Sequence, residues 1–204
     1  MQRWIISKYN PCFIDENGYY CRDEWCEFSQ IGDFFGAQQF KPTEYFQVEE
    51  KMVNAVMYLL KEINVDRLQV TDLWNPLHNT EPIYYFDKNG NKNIVEENPA
   101  NAYENIFKSK YVQYSEYYDD NLTKLYYNIR ENDYLRFNQI SNAIKLNFRH
   151  HIFCKLVFLP KIVLDFPGRM YVWADVACAE KIDISQIVDM GLFVRQGTQG
   201  DGLG

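Results

Sequence analysis

Pro42-Thr43-Glu44-Tyr45-Phe46-Gln47-Val48-Glu49-Glu50-Lys51-Met52-Val53-Asn54-Ala55-Val56-Met57-Tyr58-Leu59-Leu60-Lys61-Glu62-Ile63 is the stretch on which the fold turns. Tyr45, Val48, Met52, Ala55, Val56, Leu59 and Ile63 recur at steps of three and four, which places them on one face of a helix. Pro42 suits a helix start and Thr43 can cap one. Glu44, Glu49 and Glu50 lie early and Lys61 late, as the helix macrodipole favours, and Asn64 suits a left-handed cap. The spacing predicts a long amphipathic helix over 43–63.

On its N-terminal side, Trp4, Ile5 and Ile6 predict a strand from Arg3 to Tyr9, ended by Asn10-Pro11. Asn17-Gly18 between Phe13-Ile14 and Tyr19-Tyr20 reads as a hairpin tip, because Asn-Gly supplies the positive φ angles of a tight turn. Segment 21–40 has no clean period, and Gly32 and Gly36 suggest loop or short helical turns. On the C-terminal side, Leu68–Trp74 reads as a strand stopped at Asn75-Pro76. A second hairpin is expected across 83–95 around Asn89-Gly90. The polar, Tyr-rich segment 97–137 predicts helices near 101–112 and 121–130. From Asn138, Ile140, Ala143, Ile144, Phe148, His151, Ile152 and Leu156 mark a second long amphipathic helix to about Phe158, ended by Pro160. After a turn over 165–168, Met170–Ala174 reads as a strand. A short helix from Asp183 or Ser185, closed by Gly191, leads to a last strand over Leu192–Arg195.

No repeat, heptad array or linker divides the chain. Two long helices with several hairpin strands, unevenly ordered, give an α+β class: a mostly antiparallel sheet in one domain over 1–195. The Gly-rich stretch 196–204 reads as a flexible tail.

The chain has 204 residues, enough to bury a core without disulfide or metal. Aromatics reach 17%, chiefly 16 Tyr and 14 Phe, an excess that suits either a core or an interface. The net charge of −7 argues against a nucleic-acid binder and suits a basic partner. The first residues form no signal peptide and no run reaches membrane-span length, so a cytoplasmic location with reduced thiols is expected.

Chemistry finds little purchase. Cys12, Cys21 and Cys26 lack the paired spacing of a zinc site, so no metal is expected. Asp87–Asn93 has its Gly at the fourth position and Asn98 at the twelfth, unlike an EF-hand loop. No phosphate-binding glycine motif occurs, and no cofactor is expected. On the expected second helix His150 and Cys154 share a face, which would let an imidazole assist a thiolate. The apolar setting of Phe153 and Leu156 favours an inert thiol. Lys145, Arg149, His150 and Lys155 read as that helix's solvated basic face.

Two acidic-aromatic clusters remain. Asp23, Glu24 and Glu27 surround Trp25, and Asp119 and Asp120 follow Tyr117 and Tyr118. Aromatic anchors ringed by carboxylates suit contact with a basic protein, and these eight residues are the expected binding surface. The plainer alternative is core tyrosines and ordinary solvent-facing acids.

Arg3-Trp4-Ile5-Ile6-Ser7-Lys8-Tyr9-Asn10-Pro11, Asp15-Glu16-Asn17-Gly18-Tyr19, Asp23-Glu24-Trp25 and Ile31-Gly32 resemble a group of small uncharacterised bacterial cytosolic proteins. So do Glu44-Tyr45, Cys154-Lys155-Leu156, Pro167-Gly168-Arg169-Met170-Tyr171-Val172 and Gly191-Leu192-Phe193-Val194. Segment 97–137 departs from that group. Small proteins of this composition are similar to immunity proteins of bacterial toxin systems, which bind and block a cognate toxin. The resemblance implies a non-enzymatic inhibitor and carries over no site residue. The rival readings are an enzyme built on Cys154, His150 or Asp175, and a self-assembling or phage-derived structural protein.

Overall fold

The computed structural model describes residues 1–16, 19–78, 83–86, 91–96 and 99–197, the side chains of 83–86 and 93–96 excepted. Along the chain run β1 (Gln2–Ser7), β2 (Phe34–Phe35), β3 (Gln38–Gln39), α1 (Pro42–Glu62) and β4 (Arg67–Trp74). Next come β5 (Ile83–Phe86), β6 (Lys92–Glu96), α2 (Pro99–Gln113), α3 (Asp120–Asn128), β7 (Tyr134–Arg136) and α4 (Phe137–Phe148). The chain continues through β8 (Phe153–Phe158), β9 (Ile162–Asp165), β10 (Tyr171–Val176), α5 (Ser185–Asp189) and β11 (Phe193–Gln196). A seven-stranded antiparallel sheet of order β11-β1-β10-β9-β8-β4-β7 is the frame, so the fold is α+β as its pattern of elements implies.

Register decides the faces. Trp4 faces Ala174 and Ile6 faces Val172, and all four join one buried cluster with α1 and α4. Ile5, Ser7, Tyr171 and Arg195 fall on the opposite face, because successive strand residues point to opposite sides. Tyr45, Met52, Val56 and Leu59 of α1 are buried as the periodicity implies, together with Phe46, Glu49, Val53 and Leu60.

The start of α1 differs in one detail. Pro42 occupies the first turn and Lys41 is the cap residue, so Thr43 lies inside the helix and caps nothing. Its end is as expected: Asn64 adopts φ 52°, its N–H bonds the Lys61 carbonyl, and Val65 N–H bonds the Leu60 carbonyl. That is a Schellman closure with Asn in the position glycine usually takes. Asn64→Val is expected to lose about 1–2 kcal/mol in urea denaturation, since a β-branched residue is strained there, while Asn64→Gly stays at or above wild type.

The expected second long helix is corrected. α4 ends at Phe148, and the residues after it form a turn and then β8. Its closure is a second Schellman motif: His150 takes φ 58°, His150 N–H bonds the Asn147 carbonyl, and His151 N–H bonds the Leu146 carbonyl. No glycine or proline marks the break. Beyond it Cys154 and Leu156 point inward while Phe153, Lys155 and Val157 alternate outward, a period of two. His150 and Cys154 therefore share no helical face, the basic stripe does not exist as such, and Pro160 lies in the β8–β9 turn.

The Tyr-rich segment yields α2 and α3 close to expectation, joined by a 3₁₀ turn over Ser115–Tyr117. β5 and β6 pair antiparallel, while the Asn89-Gly90 tip lies outside the described residues. Ile14 and Tyr20 bridge around Asn17-Gly18, which also lie outside them. Gln196 belongs to β11 and Gly197 N–H bonds the Arg3 carbonyl, so the last strand runs one residue further than expected; 198–204 are outside the described residues. Among the described residues no helix is long and apolar enough to cross a membrane.

Candidate functional site

α1 and α4 pack together on the sheet, which brings Glu49 against Arg149. Glu49 is only 2% exposed and the pair is bidentate: Arg149 Nε donates to Oε1 at 2.8 Å and Nη2 to Oε2 at 2.6 Å. The third side of the guanidinium donates through Nη1 to the Tyr117 carbonyl at 2.9 Å, which ties the 3₁₀ turn to the helix pair. The guanidinium also lies over the rings of Tyr118 and Phe46, at 4.5 and 5.0 Å. Burial works against its charge, but the Glu49 carboxylate overrides that and raises the Arg149 pKa.

Above this pair lies a groove of about 400 Å³ between α1, α4 and the turn leading into α3. Its charged lining is four carboxylates, Glu49, Glu50, Glu116 and Asp119, against two cations, Lys145 and Arg149. Glu50 pairs with Lys145 at 3.3 Å and Glu49 with Arg149. Glu116 and Asp119 meet no cation within ion-pair distance among the described residues. The groove is thus net negative, with Tyr117 stacked on Phe46 at 3.6 Å as its aromatic wall.

The two expected clusters are linked through core aromatic rings, but none of Asp23, Glu24, Trp25 and Glu27 lines this groove. Ring contacts run from Trp25 to Tyr45 (5.8 Å), Tyr45 to Phe28 (5.1 Å) and Phe28 to Tyr114 (5.5 Å), with Phe46 linking on to Tyr117. Within that frame the eight residues have distinct roles. Asp23 and Asp120 are exposed. Glu24 pairs with Lys8 at 3.2 Å and accepts from the Tyr20 hydroxyl. Trp25 is half-buried, stacked on Phe40 at 4.3 Å with the Lys8 ammonium over its ring at 4.0 Å. Glu27 lies 3.5 Å from His150 Nδ1. Asp119 Oδ1 accepts from Leu122 N–H at 2.7 Å and so caps α3 while facing the groove. Tyr117 is half-buried. Tyr118 is 4% exposed, and its ring is part of the core, not of the surface.

Tyr118 faces inward because it shares a 2.7 Å hydrogen bond with His151 Nε2. Phe107, Phe28 and Tyr126 surround the same imidazole. Burial, helped by the Arg149 charge, drives the His151 pKa down to about 3, so the ring is neutral at ordinary pH.

The candidate nucleophile is placed elsewhere. Burial pushes the Cys154 thiol up to about 12, and its Sγ accepts from Asn147 Nδ2 at 3.3 Å. His150 Nε2 bonds the Gly168 carbonyl. Asp175 is held by Arg3 through two bonds of 2.8 Å, which depress its pKa. These three side chains assemble no nucleophile–base pair.

Glu49, Glu116, Lys145 and Arg149 line the groove but are not among the eight expected residues, and Lys145 and Arg149 face it rather than forming a solvated helix stripe. Glu49 has a signal: it falls four after Tyr45 and three before Met52, on the apolar stripe. No family model matches the chain, and no curated protein or solved structure matches it.

Proposed function

We propose that the chain is a non-enzymatic protein-binding protein, an inhibitor of the immunity type that blocks a basic bacterial toxin through the acidic groove over Glu49 and Arg149. One observation carries the reading. Among the described residues, Glu116 and Asp119 stand unmatched by cations on the wall of a concave site whose floor is a buried, bidentate ion pair. A Lys or Arg side chain of a partner entering there gains two carboxylates and an aromatic face without reorganising the floor. The net charge of −7 extends the same attraction to longer range.

The test is affinity capture from source-cell lysate at low and high salt, comparing wild type with Glu116→Lys/Asp119→Asn. Asn keeps the α3 cap while removing its charge, so the fold is expected to hold. Wild type is expected to retain a basic protein that high salt releases, and the variant to bind it at least tenfold more weakly, about 1.4 kcal/mol. Equal retention by both proteins removes the groove from the interface.

A further inference from the structure

On the far side of the sheet, residues 9–16 and 19–26 fold over the β11-β1-β10 end and leave a cavity of about 280 Å³. The strands contribute Ile5, Ser7, Tyr171 and Arg195; the covering segment contributes Tyr9, Tyr19 and Tyr20 among others. It shares no lining residue with the acidic groove. We infer that this cavity is a second binding site, for a small organic anion: a single aromatic ring carrying one carboxylate or phosphate.

The charge comes first. Three arginines from three parts of the chain, Arg22, Arg169 and Arg195, line the cavity of a protein whose net charge is −7. The one carboxylate in the lining, Glu24, is engaged by Lys8 at 3.2 Å and by the Tyr20 hydroxyl. Arg22 and Arg169 form no ion pair among the described residues. Arg22 instead lies over the Phe13 ring at 4.7 Å. Planar guanidinium groups bind carboxylate and phosphate in a bidentate manner, which makes an anion the matching occupant.

A polar group without a partner points the same way. Tyr171 is 4% exposed, yet its hydroxyl makes no hydrogen bond among the described residues. Its oxygen is not sealed off, unlike the unpartnered Trp173 Nε1 and Thr123 Oγ1, and so stays free to meet a ligand. Tyr171 lines the cavity with Arg169, and an anion between them accepts from both.

Size and lining set the rest of the ligand. A cavity of about 150 Å³ suffices for benzene, so 280 Å³ holds one ring with an anionic substituent and little more. The walls that would meet the ring are Ile5, Ile14 and the Tyr9–Tyr20 pair, whose centroids are 4.9 Å apart. Tyr19, 57% exposed, stands at the mouth.

Isothermal titration of the full chain with phenyl phosphate and phenylacetate tests this, against phenol, phenylacetamide and inorganic phosphate. Saturable binding is expected for at least one aryl anion, at least tenfold tighter than its neutral counterpart and than inorganic phosphate. Arg169→Gln is expected to weaken it at least tenfold, Arg169→Lys less, and Tyr171→Phe about three- to tenfold, with circular dichroism unchanged. Tighter binding of inorganic phosphate than of either aryl anion reduces the site to a bare anion cradle and overturns the ring assignment. No saturable binding of either aryl anion, equal binding of the neutral ring, or an unaffected Arg169→Gln overturns the proposal, whatever the groove on the other face binds.

Discussion

Glu49→Ala is expected to destabilise the protein by about 3–5 kcal/mol, because it leaves the Arg149 guanidinium buried and without its counter-charge. The side chains of both partners are almost wholly enclosed, and arginine does not shed its proton to escape. The Tyr117 carbonyl remains as a partner, but it satisfies one donor and no charge. Glu49→Leu combined with Arg149→Met is expected to recover most of the loss, since well-packed apolar residues of similar volume often match a buried pair. Urea denaturation of Glu49→Leu, Arg149→Met and the double variant reads this as a coupling energy. A double variant as unstable as the single ones together means that lost packing, not a stranded charge, is responsible.

The second large effect is a pH dependence centred on His151. Its pKa is about 3 in the folded protein and near 6.5 when unfolded, so between those values the unfolded chain binds one more proton. Stability then rises with pH, by up to about 1.4 kcal/mol per unit. The contribution is complete above about pH 6.5 and is lost as pH falls toward 3. Between pH 7 and pH 4 the loss comes to about 3 kcal/mol. The groups around the ring explain the depression: it is 6% exposed, enclosed by Phe107, Phe28 and Tyr126, with the Arg149 charge nearby. His151→Gln keeps a polar partner for Tyr118 but does not titrate. The stability difference between wild type and that variant, followed by denaturation from pH 7 to pH 4, is expected to move against wild type. A difference that stays constant with pH shows that His151 titrates normally.

Neither effect can be read from the residues in order, and the reason is range. A helix or strand announces itself through side chains three, four or two positions apart, and those signals were plain. α1 and its Asn64 closure, the strands at Trp4–Ile6, Leu68–Trp74 and Tyr171–Ala174, and the α+β class all follow from such spacing. Where local signals compete, they fail. Ile140 to Leu156 keeps helical spacing across a break that His150 makes by entering a left-handed conformation with no glycine to advertise it. Acidic-aromatic composition picked out two segments, and the structure puts only the second, at Tyr117 and Asp119, on the acidic groove, while Glu24 of the first lines the other cavity. It did not distinguish Tyr118, bound to His151, from Tyr117, stacked at the groove. Glu49 meets Arg149 across 100 positions of chain, and Arg22 shares a cavity with Arg169 and Arg195 from strands and turns far along it. Local spacing settled the elements whose signals did not compete, α1 and the strands named above among them, together with their apolar faces, because those depend on neighbours along the chain. Which charges would be buried together, and which arginines would face one cavity, was decided only when the sheet order and the α1–α4 packing set distant residues side by side.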